Sequence, residues 1–195
     1  MYGSSMVVDR TRGRAVLFGG QGNVLPSNDT RLLSLTTPNA PWAVAMRPST
    51  TPTPRRGHSA VVDPSGDRMI VFGGVGGSYL GDTWSLDLAT LRWKFLVHTG
   101  GPPTPRDYHE AVWDPVRGRM LMFGGNANGV FLNDLWQLTL DGVPAWTPLT
   151  PDGTPPSPRL AHRMVYDAPR DRVVLFGGSD GLGNDLNDVW ALELS

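Results

Sequence analysis

Three copies of one short element carry most of the chemistry open to this chain. A Pro-Arg pair is followed, three residues after the arginine, by a histidine: Arg55 and His58, Arg106 and His109, Arg159 and His162. A guanidinium is a planar fork that fits a carboxylate with two parallel hydrogen bonds. An imidazole serves as base or as metal ligand. Three arginines meeting on one surface would grip an acidic peptide, and three inward imidazoles would hold a metal. Because the element recurs in every complete repeat, an architectural role stands ahead of both. Arg56 and Arg163 are cations that break the repetition, and with Tyr79 and Phe131 they are ligand candidates less tied to architecture. Hydrolytic chemistry needs a nucleophile beside a base, or two carboxylates in a cleft. The chain has no cysteine and two glutamates, Glu110 and Glu193, and nothing singles out such a set. The loop SDGLGNDLND (179–188) is rich in oxygen ligands but lacks the spacing and bidentate glutamate of a calcium hand. No catalytic residue, metal ligand or cofactor is assigned.

Composition narrows the scaffold that could position these groups. Glycine (24) and proline (18) are abundant in the 195 residues, while the strong helix formers Lys and Glu are nearly absent, which disfavours a helical bundle. Seven tryptophans and 39% apolar residues supply a core, so a turn-rich all-β protein fits. A net charge of −1 offers no basic field for nucleic acid. No apolar run is long enough to span a bilayer as a helix, and the first residues lack the basic-then-apolar order of a signal peptide. The excess of arginine over the single lysine, Lys94, reads as codon bias more than function.

Internal repetition dominates the chain. RAVLFGG (14–20), RMIVFGG (68–74), RMLMFGG (119–125) and RVVLFGG (172–178) place their glycine pairs 54, 51 and 53 residues apart. A shorter apolar run ending in Asp precedes each, and the step from Asp9, Asp63, Asp114 or Asp167 to the next run's Arg is five residues every time. That predicts a hairpin of strands a and b, with an exposed Asp–Arg pair across its turn. Strand c follows as NDTRLLSL (28–35), GDTWSLDL (81–88), NDLWQLTL (133–140) and NDVWALEL (187–194). Strand d, headed by a second Trp, is WAVAM (42–46), WKFLV (93–97) and WTPLT (146–150), and is missing from the last copy. The glycine pairs are expected to take positive φ and admit a neighbouring sheet. The Asp of each Asn-Asp is expected to bond local amides, and Trp84, Trp136 and Trp190 to pack between sheets.

The order apolar strand, Gly-Gly, Asp-x-Trp, second Trp resembles the kelch repeat, whose units are blades of a β-propeller. The resemblance covers essentially the whole chain; the first copy departs from it with Arg31 in place of the tryptophan. It implies an all-β fold, one domain over residues 1–195, with four-stranded blades near 1–50, 51–101, 102–154 and 155–195, the last lacking its outer strand. Four units are few for a ring, so an open arc or a fragment of a longer protein is expected. Its exposed blade faces would favour self-association. In some kelch propellers, arginines of the d–a connections grip acidic peptides. Kelch-type copper oxidases need a Tyr–Cys crosslink, which this chain cannot form.

Loop lengths locate a binding face. From the second Trp to the arginine of Pro-Arg is 13 residues in all three copies, whereas the second Gly to the Asp is 9, 8, 9 and 10. Antiparallel order puts the variable b–c loops and the Pro-Arg-x-x-His connections at one end of the blades, and binding resides on loops held by a rigid scaffold. The ligand-binding set is Arg55, Arg56, Arg106, Arg159, Arg163, His58, His109, His162, Tyr79 and Phe131. The function expected is a non-catalytic module recognising a protein or peptide, acidic in one form of the hypothesis. The alternative is a carbohydrate- or small-molecule-handling propeller, lectin-like or of the sialic-acid mutarotase type.

Overall fold

The computed structural model describes residues 2–45 and 48–194. Among these described residues fifteen strands form four antiparallel meanders. The first sheet runs β1 (Ser5–Asp9), β2 (Arg14–Phe18), β3 (Thr30–Ser34), β4 (Ala43–Val44). The second runs β5 (Ser59–Asp63), β6 (Arg68–Phe72), β7 (Thr83–Asp87), β8 (Trp93–Phe95). The third runs β9 (Glu110–Asp114), β10 (Arg119–Ala127), β11 (Val130–Thr139), β12 (Ala145–Leu149). The fourth has β13 (Arg163–Asp167), β14 (Arg172–Ser179) and β15 (Asp185–Glu193), with no strand d among the described residues. These are the expected blades. They group into two compact units, Met1–Leu96 and Val97–Ser195, of two blades each. The first strand d is shorter than expected, and Met46 of it lies outside the described residues.

The a–b hairpins hold the predicted register, with Asp9 opposite Arg14, Asp63 opposite Arg68, Asp114 opposite Arg119 and Asp167 opposite Arg172. Their exposure differs from expectation. Asp9, Asp63 and Asp114 are buried, because each carboxylate also accepts turn amides that close over it: Arg12 N–H to Asp9, Ser65 and Gly66 N–H to Asp63, Val116 and Arg117 N–H to Asp114. The glycine pairs behave as expected. Gly124 and Gly125 have φ of 65° and 98°, and a Cβ on Gly124 would lie 2.8 Å from the carbonyl oxygen of Arg159 in the next blade.

Within the first unit, Val7, Val16 and Phe18 of one blade pack on Met69, Val71, Leu86, Leu88 and Trp93 of the other. The second unit repeats this with Val112, Leu121, Phe123 and Leu135 against Met164, Val173 and Leu175. Trp84 and Trp190 pack against these clusters as expected, and a strand-d tryptophan joins the first of them. Trp84 and Trp190 are half-buried at the margins of these clusters, and their indoles serve the clamp described below. The buried indole between blades is the one heading strand d: Trp93 lies 4.5 Å from the Phe18 ring and donates to Thr30 Oγ1 at 3.1 Å. Trp93→Ala is therefore expected to cost about 3–5 kcal/mol. Trp42→Ala, at a position 42% exposed, should cost under ~1 kcal/mol. Urea unfolding of the two variants measures the contrast, and equal losses would contradict this packing.

Candidate functional site

In the second, third and fourth blades, the end where strand b exits and strand a begins is organised by the repeated arginine. Arg55 Nη1 and Nη2 donate to the two carboxylate oxygens of Asp82 at 2.7 and 2.8 Å. Nη1 also donates to the Gly73 carbonyl, and Nε and Nη2 donate to the carbonyl and hydroxyl of Thr53. All five N–H groups are thus engaged. Arg106 repeats the set with Asp134, Gly124 and Thr104, and Arg159 with Asp188, Gly177 and Ser157. All three arginines are fully buried. The carbonyl each one binds belongs to the blade it leads into, not to the neighbouring one.

The Asp of Asn-Asp accepts from this fork and from an indole rather than mainly from loop amides. Trp84, Trp136 and Trp190 Nε1 donate to Asp82, Asp134 and Asp188 at 2.7, 2.7 and 2.6 Å. Arg31, the departure in the first copy, makes the corresponding bond to Asp29. Burial pushes the Asp82 and Asp134 carboxyls up, but the guanidinium bonds outweigh it and hold both below the ordinary value. Asp188 is held well below it by Arg159 and then Trp190. The hydroxyl partner, Thr53, Thr104 or Ser157, was missed; its recurrence two residues before each arginine was the available signal.

His58 and His162 sit in the walls between the two blades of their units. His58 packs edge-on against Phe18 at 5.3 Å and meets Ser5 Oγ through Nε2 at 2.7 Å. His162 packs on Phe123 at 5.6 Å, and neither of its ring nitrogens has a partner among the described residues. His109 is likewise buried. Burial, then the charge of Arg55, pushes His58 down to about 3, and burial with Arg159 pushes His162 down to about 4.

The remaining candidates do lie at this loop-bearing end. After each Pro-Arg the chain pairs with the residue following Gly-Gly: Arg56 with Val75, Asp107 with Asn126, Leu160 with Ser179. The d–a connections and b–c loops therefore share one base. In the first unit Arg56 lies 5.7 Å from the Tyr2 ring, and Tyr79 bridges to Val75. In the second, the Arg163 side chain is 81% exposed and its Nη1 reaches Glu110 at 2.7 Å. Phe131 is half-buried where a Cβ on Gly181 of the next loop would overlap its ring. Four apolar residues at loop tips were not anticipated: Val24 and Leu25 (77 and 74% exposed), Val130 and Leu182 (60 and 82%).

Four-stranded meanders clamped at one end by buried arginines and packed face to face define a β-propeller-blade repeat protein. A family model described as the KLHDC2/KLHL20/DRC7 Kelch-repeats domain matches residues 3–195, and the chain belongs to the kelch-repeat family. It is 35% identical to Adagio-like protein 1 of Oryza sativa subsp. japonica over 193 residues, 93% of this chain and 29% of that protein. It is 31% identical to human Host cell factor 2, over 78% of this chain and 22% of that protein. It is 35% identical to the flagellar outer-arm dynein alpha chain of Chlamydomonas reinhardtii, over 78% of this chain and 3% of that protein. The chain spans less than a third of the length of each.

Removing one partner of a buried ion pair leaves a charge without compensation. Arg106→Ala should lower stability by about 3–5 kcal/mol in chemical denaturation, and Arg56→Ala by under ~1 kcal/mol. The histidines set an acid limit. Their folded-state values lie below the unfolded 6.5, so the unfolded chain binds more protons as pH falls. Stability is complete above pH 6.5 and declines toward pH 4 by up to about 1.4 kcal/mol per pH unit for each histidine. His162→Phe should flatten that decline in urea unfolding at a series of pH values; an unchanged slope would refute the assignment.

Proposed function

We propose that the chain is a non-catalytic binding module that meets a protein or peptide with the end of each blade carrying the b–c loops and d–a connections. The observation that carries this is the set of exposed apolar tips, Val24, Leu25, Val130 and Leu182, standing on bases fixed by buried arginines. Aliphatic side chains held out in water are stabilised by an apolar partner. Arg56, against the Tyr2 ring, and the exposed Arg163, paired with Glu110, put guanidinium groups at this end, which supports an acidic partner.

Self-association belongs to the same reading. Val7, Val16 and Phe18 of the first blade are buried by the second, whereas the corresponding Val165 and Phe176 of the fourth are 59 and 54% exposed. Peptides selected from a random displayed library on the 195-residue chain test the binding end. Leu25→Ser with Leu182→Ser should weaken selected binders about tenfold or more, and Arg56→Glu with Arg163→Glu should abolish acidic ones. Binders indifferent to both pairs would exclude this surface. Sedimentation equilibrium should show concentration-dependent association that Phe176→Ser reduces.

A further inference from the structure

The first position of strand a changes chemistry along the chain: Ser5, Ser59, Glu110 and Arg163 open β1, β5, β9 and β13. In the first unit Ser5 Oγ lies 2.7 Å from Nε2 of His58, the histidine of the next blade. In the second unit Glu110 holds the place of Ser5, and His162 that of His58. The corresponding bond is not made. Glu110 Oε2 accepts from Arg163 Nη1 at 2.7 Å instead. His162 is 1% exposed, and both ring nitrogens are without a partner among the described residues. One of them carries a proton in the neutral ring, so a buried donor stands unused where the first unit has a bonded pair.

We infer that Arg163 receives a carboxylate of an acidic partner, and that Glu110 is the arm that yields it, turning to His162 as the imidazole takes up a proton. The inference rests on the reading of the loop-bearing end as a binding surface. Charge balances through the exchange. The incoming carboxylate replaces Glu110 on the guanidinium, and one proton from water makes the imidazolium that Glu110 neutralises. The pair that breaks is weak, because the Arg163 side chain lies largely in water. The pair that forms is shielded, because the ring is buried.

The surroundings of the ring favour this partner. Burial, then Arg159 and Arg163, push the imidazole down to about 4 while Glu110 is held by Arg163. Phe123 and Gly124 face the ring from β10 without charge. Tyr108 approaches its connection through a backbone carbonyl bonded to Ala161 N–H. Asp134, Asp188 and Asp107 have their own partners in the Arg106 fork, the Arg159 fork and the Asn126 amide. Glu110 comes from β9, at the place from which Ser5 reaches His58. The bound form holds one more proton than the free form, so affinity for a carboxylate rises as pH falls from neutral.

Glu110→Ser tests this, since it copies the first unit, offers the ring a hydroxyl and leaves Arg163 without its competitor. The probe is rhodamine-labelled hexaglutamate, which stays largely ionised at pH 5.5. Fluorescence anisotropy with the 195-residue chain should show about fivefold tighter binding at pH 5.5 than at pH 7.5. Glu110→Ser should bind at pH 7.5 as tightly as the unsubstituted chain does at pH 5.5, with less than about a twofold change between the two. Arg163→Ala should lose the probe at both. Histidine ring NMR should show bound probe raising the His162 titration midpoint in the unsubstituted chain and not in Glu110→Ser. Equal affinities of these two chains at pH 7.5, or a His162 midpoint that bound probe leaves in place, would overturn the inference and spare the binding end. Binding that survives Arg163→Ala would overturn it as well. A probe that binds none of the chains would remove the acidic-partner reading together with the inference.

Discussion

A guanidinium with every proton engaged is the interaction on which the rest of the second, third and fourth blades depends. Burying a charge costs several kcal/mol unless its pairing is near ideal. Here two carboxylate oxygens, two carbonyls and a hydroxyl surround each fork. The bonds tie three separate stretches together: the Thr/Ser-Pro-Arg connection, the exit of strand b at Gly-Gly, and the start of strand c at Asp. Proline sets the approach, and a glycine carbonyl is reachable because no Cβ stands in the way. Lysine could supply neither the planar fork nor the count of donors. The arginine excess therefore has a structural cause at these three positions, whatever codon bias adds elsewhere.

Blades within each unit are joined by layers of different chemistry along their height. At the loop-bearing end a neutral imidazole rests edge-on against a phenyl ring, His58 on Phe18 and His162 on Phe123. In the middle lie the aliphatic clusters. At the opposite end, the a–b turns exchange ion pairs: Arg12 with Asp67 in the first unit, Arg117 with Asp171 in the second. Arg117 and Tyr166 together hold the Asp171 carboxyl down to about 2. These turn pairs are partly exposed and worth little each, so the apolar middle carries the adhesion and the charges fix the angle.

Periodicity made the strands legible. The fixed five-residue step from Asp to Arg gave the a–b register residue for residue, because a short hairpin allows few alternatives. Side-chain destinations were harder to read. Trp84 and Trp93 are both tryptophans on alternating strands, and only the register of neighbouring sheets decides which indole faces a blade and which faces a carboxylate. The buried state of Asp63 depended on turn amides closing over it, which strand patterning does not encode. The repeated arginines lie in the d–a connections, as the antiparallel order implies, but their saturation is visible only once the Asp of strand c is known to lie within reach across 27 to 29 residues.

Saturation also decides where recognition can occur. A side chain whose donors are all used has nothing to offer a ligand without first breaking the blade, so the repeated framework is chemically closed. Under the proposed reading, binding capacity then belongs to whatever the repeat leaves unsatisfied. At the loop tips the deficit is hydrophobic: Leu25 and Leu182 are held in water by a rigid base.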